Sequence, residues 1–220
     1  MVGFARHSIT VGRLPDRIRT ADVPVSMTLP SPDELRVRLR TALARSIPGA
    51  DGEISLGGLS REHTKRLIHL LPPTLKPAAV LVPILDRPEG LSLLLTQRSA
   101  GLRHHAGQVA FPGGRVEAGD RDAVATALRE AEEEIGLPPE RVEVLGCLND
   151  HVILTGFRVT PVVAFVRSEG DYALDPSEVH SVFEMPLAKA LDFRRYHSRS
   201  WSQQGEKVHF FELYHARRRV

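Results

Sequence analysis

A single cysteine, Cys147, in 220 residues leaves nothing to pair with inside the chain. An internal disulfide and a cysteine-rich zinc site are therefore excluded, and a reducing compartment such as the cytoplasm fits best. Aromatic residues are scarce at 5%, so Leu, Val, Ile and Ala must fill the core. No run approaches the roughly 20 apolar residues needed to span a bilayer; the longest, 78–85, is broken by Pro83. The N-terminus lacks the apolar stretch of a secretory signal. An excess of charge of one sign is missing too. The 29 Lys and Arg nearly balance 27 Asp and Glu, for a net charge of +2, which is too mild for a polyanion binder. Neither a nucleic acid nor a membrane is expected as partner. The ten histidines never take the H-E-x-x-H spacing of a zinc hydrolase.

What is present is ordinary globular material, 42% apolar and 25% charged. The length suits one domain with a small extension. Residues 1–30 read as an N-terminal extension without fixed structure. Arg6, Arg13, Arg17 and Arg19 against Asp16 and Asp22 give it the composition of an organelle-targeting tail. It shows no apolar stripe at helical spacing, so it reads as a plain extension, or as an early start with Met27 as the true beginning.

Residues 31–75 read as a helical segment packing on the main domain. Within it, 32–46 form a helix capped by Ser31 or Asp33, with Leu35, Val37, Leu39 and Leu43 as its apolar positions. A Gly-rich loop over 47–60 and a second short helix over 61–71, stopped by Pro72-Pro73, follow. Residues 76–220 read as the main domain. It opens with a hairpin, 78–85 and 91–97, turned by Asp86-Arg87-Pro88-Glu89-Gly90. Residues 99–119 read as a long loop holding a short strand, and 121–135 as the strongest helix. There Val124, Ala127, Leu128, Ala131 and Ile135 share a face, and Gly136 ends the helix. Strands are expected at 142–148, 152–154, 159–166 and 178–183, with a helix starting at Met185-Pro186-Leu187. Strands and helices do not alternate regularly, so the class is α+β or a layered α/β/α arrangement, not a Rossmann sheet.

The strongest chemical signal is the run Arg129-Glu130-Ala131-Glu132-Glu133-Glu134-Ile135-Gly136-Leu137. At about 100° per residue, Glu130 and Glu134 lie about 40° apart, and Glu133 about 60° to the other side of Glu130. Three carboxylates thus share one arc beside the apolar face. Like charges at this spacing repel. Arg129, four residues before Glu133, can relieve part of that repulsion; the run then reads either as an ordinary solvated Glu-rich face or as a cluster whose remaining repulsion a bound divalent cation would relieve. Hard oxygen donors suit Mg²⁺ or Mn²⁺, not zinc. Just upstream, Phe111-Pro112-Gly113-Gly114-Arg115 forms a tight turn that lets backbone approach a ligand closely.

These residues carry a resemblance. Residues 114–137 resemble the Nudix box, G-x(5)-E-x(7)-R-E-U-x-E-E-x-G-U with U aliphatic. Arg129, Glu130, Glu133, Glu134, Gly136 and Leu137 match its second half. Asp120 stands where the early Glu belongs, the spacer to Arg129 is one residue longer, and Ala131 takes the first aliphatic position. Leu94-Leu95-Thr96-Gln97-Arg98-Ser99, Arg103, Gly107 and Phe111-Pro112-Gly113-Gly114 resemble the additional motif of the coenzyme A pyrophosphatase branch of Nudix hydrolases, L-L-T-x-R-[SA]-x(3)-R-x(3)-G-x(3)-F-P-G-G. That branch also tends to carry the Asp and the longer spacer. A weaker likeness continues through Glu178-Val179 and 183–187.

The resemblance implies a Nudix fold, an α/β/α sandwich with a mixed β-sheet between helices. It implies metal-dependent hydrolysis of the diphosphate of coenzyme A or a derivative, giving 3′,5′-ADP and 4′-phosphopantetheine. Mg²⁺ or Mn²⁺ is the implied cofactor, and a small-molecule diphosphate the only implied partner. Glu130 and Glu134 are the first expected metal ligands, with Glu133 and the Gly114 carbonyl as additional ones. Arg129 is expected to hold a carboxylate in place. The general base is expected to be Glu133, Glu178 or Glu184. Arg98, Arg103 and Arg115 are expected to contact substrate, since a guanidinium fork matches phosphate oxygens. Cys147 reads as a core residue.

Related chains usually continue with a C-terminal helix that closes the sheet. Here Arg217-Arg218-Arg219-Val220 end the chain, so reduced stability or a homodimer is expected unless something else covers that surface. Two other readings remain open. One is a Nudix pyrophosphatase acting on ADP-ribose, a dinucleotide or a nucleoside triphosphate; the other is a nucleotide sensor that does not hydrolyse.

Overall fold

The computed structural model describes residues 10–11, 29–44, 68–102, 105–167, 170–203 and 206–220. The Gly-rich loop expected over 47–60, most of the helix expected over 61–71, Arg103, and residues 1–9 and 12–28 lie outside these.

The hairpin comes out where Pro88 and Gly90 place it. β2 (Lys76–Arg87) and β3 (Gly90–Arg98) pair antiparallel, with Ile84 opposite Leu93 and Arg87 opposite Gly90. β2 is also the sheet's parallel element. Along its other edge it runs beside β8 (Phe157–Val166) for ten residue pairs, Lys76–Leu85 against Phe157–Val166. A strand buried on both faces reads as a continuous apolar run, and in β2 Ala79, Leu81 and Leu85 are buried in one core while Ile84 is buried in the other. β6 (Val142–Cys147) and β7 (His151–Ile153) pair with the far edge of β8, and β9 (Val179–Pro186) with the far edge of β3. The sheet is therefore mixed, as expected, and belongs to an α+β fold.

Its most consequential feature is a split. β3 pairs with β2 only as far as Leu93; beyond it, Thr96 and Gln97 pair with β4 (Val109–Ala110). The vacated edge of β2 is taken by β5 (Gly113–Arg115), with Ala79 opposite Gly114. Two ribbons thus diverge at one end of the sheet, and the acid-bearing helix points its carboxylates into the fork.

That helix, α2 (Ala123–Ile135), starts where the Asp122 carboxylate accepts from the Ala125 amide at 2.8 Å. It ends where Gly136 turns left-handed at φ 63°, with the Gly136 and Leu137 amides returning to Glu132 and Ala131. A Cβ at Gly136 would also press on Ala173. Ala127, Ala131, Ile135 and Leu137 are fully buried against Ala79, Leu81 and Leu94. Small residues at 127 and 131 let the helix axis come close to the sheet, so Ala131 fits where the box usually has a larger aliphatic residue.

The opposite face holds a second core. α1 (Pro32–Leu43), capped by Ser31, contributes Leu35, Leu39 and Leu43, and Leu43 lies on Gly146 of β6. Val37, two positions out of phase, is left 66% exposed. The helix ends at Leu43 with Ala44 as its cap; residues 45 and 46 of the expected helix lie outside the described residues. β9 runs unbroken through the expected strand into α3 (Leu187–Ala190).

Instead of a closing helix, the surface beside β9 carries a hairpin of β12 (Tyr214–His215) and β13 (Arg218–Arg219). Leu213 and Val220 exchange both backbone hydrogen bonds there, at 2.9 and 2.8 Å, and pack into the second core. Arg218 lies over the Phe183 ring and donates to Gln97. A separate small sheet joins β1 (Thr10–Val11), β10 (His197–Gln203) and β11 (Glu206–Glu212). So part of the extension expected to lack structure is a strand paired to Arg199 and Ser200. Among the described residues no helix is long and apolar enough to cross a membrane.

Candidate active site

The two glycines of the turn make the site physically feasible. A Cβ on Gly113 would meet the Ala79 carbonyl and the Val80 Cα of the neighbouring strand. A Cβ on Gly114 would overlap the Glu130 carboxylate. β5 can reach β2, and Glu130 can sit against β5, only because both side chains are missing.

Arg129 organises one half of the carboxylate arc. Its Nε and Nη2 donate to Asp120 Oδ1 and Oδ2 at 3.1 and 3.0 Å. Nη1 donates to Glu130 Oε1 at 3.0 Å and to Glu133 Oε2 at 2.9 Å, and Nη2 also to the Arg115 carbonyl at 3.0 Å. All five of its N–H groups are thereby used. Asp120 anchors the assembly. Besides Arg129 it accepts from the Glu117 amide at 2.8 Å and from Thr126 Oγ1 at 2.9 Å. The Arg129 guanidinium and these donors hold the Asp120 carboxyl well below the usual carboxylate range. The Asp at the place of the box's early Glu therefore has a defined position, in reach of the longer spacer. The fully buried Thr126 was not foreseen. Its only sequence signal was a hydroxyl on an otherwise small and apolar helix face.

The other half centres on Glu134, which is only 3% exposed. Its Oε2 accepts from the Gly113 amide at 3.2 Å and its Oε1 from Arg98 Nη1 at 3.1 Å. Burial pushes its pKa up to about 7, against the opposing pull of the Gly113 amide and Arg98. Burial likewise raises Glu130, with Arg129 acting the other way. The charge of Glu178 raises both.

Glu178 arrives from a turn clamped to two elements. The Asp175 amide donates to the Glu134 carbonyl at 3.0 Å, and the Ser99 amide to the Glu178 carbonyl at 2.8 Å. The Asp175 side chain holds Ser177 inside the turn. Glu178 lies 3.8 Å from Arg98 Nη2.

The structure thus brings together Glu130, Glu133, Glu134, Arg129, Gly114, Arg98 and Glu178. Glu184 is elsewhere, held by Arg87 through Nε and Nη2 at distances down to 2.6 Å. Arg115 follows Gly114 in β5, so its side chain emerges on the opposite side from Glu130. There it lies over the Phe157 ring, 5.2 Å from guanidinium carbon to centroid. Only its carbonyl reaches the site. Cys147 is half-buried in β6, away from the site.

Among the described residues no three His, Cys, Asp or Glu side chains already converge as a ligand set. Glu130 and Glu133 are paired with Arg129, and Glu134 with Arg98.

A Gly-Gly turn that feeds a carboxylate-bearing helix, set into the fork of a mixed sheet, matches what is expected of a hydrolase of diphosphate linkages, and the comparison with known families bears that class out. The chain belongs to the Nudix family, whose NUDIX domain model matches residues 75–204. Over 129 residues it is 54% identical to a relative in Escherichia coli K12 named "Uncharacterized Nudix hydrolase NudL", covering 59% of this chain and 67% of that one. The counterpart in Escherichia coli O7:K1 is 53% identical over the same length. Among solved structures, an Ap4A hydrolase binary complex from C. elegans is similar at 24% identity and TM-score 0.45, over 52% of this chain and 83% of that one.

Proposed function

We propose that this chain hydrolyses the diphosphate of coenzyme A or its derivatives, using a divalent cation, to give 3′,5′-ADP and 4′-phosphopantetheine or its acyl form. One observation carries the reading. Arg98 belongs to the stretch that resembles the coenzyme A motif, and it lies directly on Glu134 of the box helix. The two motifs therefore form one site.

The donors suit Mg²⁺ or Mn²⁺. Glu130 and Glu134 offer hard oxygens, both desolvated and both facing further negative charge from Glu178. A dication relieves that arrangement. Glu133 and the Gly114 carbonyl are the additional donors in this reading. When bound, the ion neutralises charge on phosphate oxygens and lowers the pKa of coordinated water. The protein does the remainder. Arg129, locked by Asp120, orients Glu130 and Glu133. Glu178 takes the proton of the attacking water, with Glu133 as the alternative base. The water oxygen bonds to phosphorus as the bridging P–O bond breaks, and a phosphate monoester departs. Arg98 and Arg103 present guanidinium forks to phosphate oxygens. The enzyme works on a small molecule in the cytoplasm.

A substrate panel tests this. With Mg²⁺ or Mn²⁺, kcat/KM for coenzyme A is expected to exceed that for ADP-ribose, a dinucleoside polyphosphate and a nucleoside triphosphate by about tenfold or more, the selectivity that about 1.4 kcal/mol of added transition-state contact gives. Equal or faster turnover of ADP-ribose removes the coenzyme A assignment. Nucleotide binding without any turnover marks a sensor instead.

A further inference from the structure

We infer that Arg98 is an internal counter-ion that a divalent cation must displace from Glu134 before the site can work. The inference rests on the proposed role of Glu134 as a cation ligand. It explains why the two arginines of the site are built so differently.

Arg129 has all five donors engaged and is tied to the buried Asp120. Among the described residues the Arg98 side chain makes one hydrogen bond, to Glu134 Oε1, and a looser 3.8 Å contact with Glu178, whose side chain is 47% exposed. Its side chain is 23% exposed, the same as that of Arg129, so the two differ in how many donors are engaged and not in burial. Glu134, in contrast, does not depend on Arg98 for its position. The Gly113 amide holds its other oxygen, and the Asp175 amide ties its carbonyl to the turn before β9. Arg98 therefore supplies charge to Glu134 rather than placement.

A guanidinium and a dication on the same carboxylate oxygen repel each other. Loading the cation ejects Arg98 from Glu134 and leaves its fork free beside Glu178, at the place where an anionic phosphate is expected. Cation binding and the readiness of a phosphate contact are then one event. In this role Arg98 is a counter-ion before the cation binds and a substrate contact afterwards.

The test measures Mn²⁺ affinity of the full chain without substrate, by the loss of the free-ion paramagnetic resonance signal, for the parent, R98M, R98K and E134Q. Melting curves in chelator establish that each is folded. R98M keeps the aliphatic stem but lacks the charge, and is expected to bind Mn²⁺ about tenfold more tightly, the effect of removing one like charge at this range. Its KM for the diphosphate substrate is expected to rise over the same series. R98K retains the charge and is expected to bind Mn²⁺ like the parent. If R98M binds Mn²⁺ equally or more weakly while E134Q abolishes parental binding, the counter-ion role is overturned and the metal reading stands. A parent that binds no Mn²⁺ removable by E134Q overturns both.

Discussion

Glu134→Gln lowers turnover by three orders of magnitude or more, and it does so in a protein that becomes relatively more stable as pH rises. The first effect follows from removing a charged oxygen donor that a neutral amide cannot replace. A thousandfold loss corresponds to about 4 kcal/mol of transition-state stabilisation, within what a metal supplies to a developing phosphate charge. The second effect follows from burial. The folded chain holds the Glu134 proton up to about pH 7, against an ordinary value of 4.5. The folded state therefore binds more protons than the unfolded state between these values, and parental stability falls as pH rises through that window. The amide of the E134Q variant does not titrate. In chelator, the stability of E134Q relative to the parent is expected to climb by about 3 kcal/mol between pH 4.5 and pH 7.5. For a chain of this size that is a relative gain of about 6–12 °C in melting temperature. A difference that stays flat across this range contradicts the assigned burial of a charged carboxyl.

Asp120→Ala is expected to damage both fold and chemistry. Asp120 has a side chain only 5% exposed and faces Arg129, which is 23% exposed. Removing it deletes two of the Arg129 hydrogen bonds while Glu130, Glu133 and the Arg115 carbonyl still hold the guanidinium, at a cost of about 3 kcal/mol, the range for hydrogen bonds to charged groups. The melting temperature should fall by about 6–12 °C. Turnover should drop about tenfold to a hundredfold, as when a group that orients metal-binding carboxylates is lost. The pH dependence has the opposite sign to that of Glu134. The folded pKa of Asp120 is depressed, so its contribution is present above the ordinary carboxylate range and is lost as pH falls below about 4. The stability gap between D120A and the parent should narrow in acid. A D120A protein with parental stability and turnover removes Asp120 from the account.

Much of this was legible because local chemistry and global fold agree. The apolar stripe from Val124 to Ile135 and the left-handed Gly136 specified α2 without help from the rest of the chain, and the turn at Pro88 and Gly90 specified the first hairpin. The pairing of Arg129 with Glu133 follows from helical spacing, and the structure has it at 2.9 Å. What could not be read depends on contacts distant in sequence. The apolar run of β2 fits burial on both faces, but nothing in it names β8, about 80 residues away, as the parallel partner. The divergence of β3 from β5 is likewise a tertiary result, and it is what turns Arg98 onto Glu134. Arg115 was misplaced by proximity in sequence, since adjacent strand residues face opposite sides. The surface next to β9 is expected to be left short of a closing helix unless something else covers it, and Leu213 and Val220 fill that core from a hairpin. A two-residue ladder offers too little periodicity to be read from sequence.

The central claim is that Glu130, Glu133 and Glu134 grip a divalent cation against a diphosphate. The most direct measurement is an anomalous difference map from crystals soaked in Mn²⁺ with a non-hydrolysable coenzyme A analogue. The account predicts a peak within about 2.2 Å of Glu130 and Glu134 oxygens, next to the diphosphate, with Arg98 withdrawn from Glu134. A peak elsewhere, with both carboxylates still bonded to Arg129 and Arg98, contradicts it.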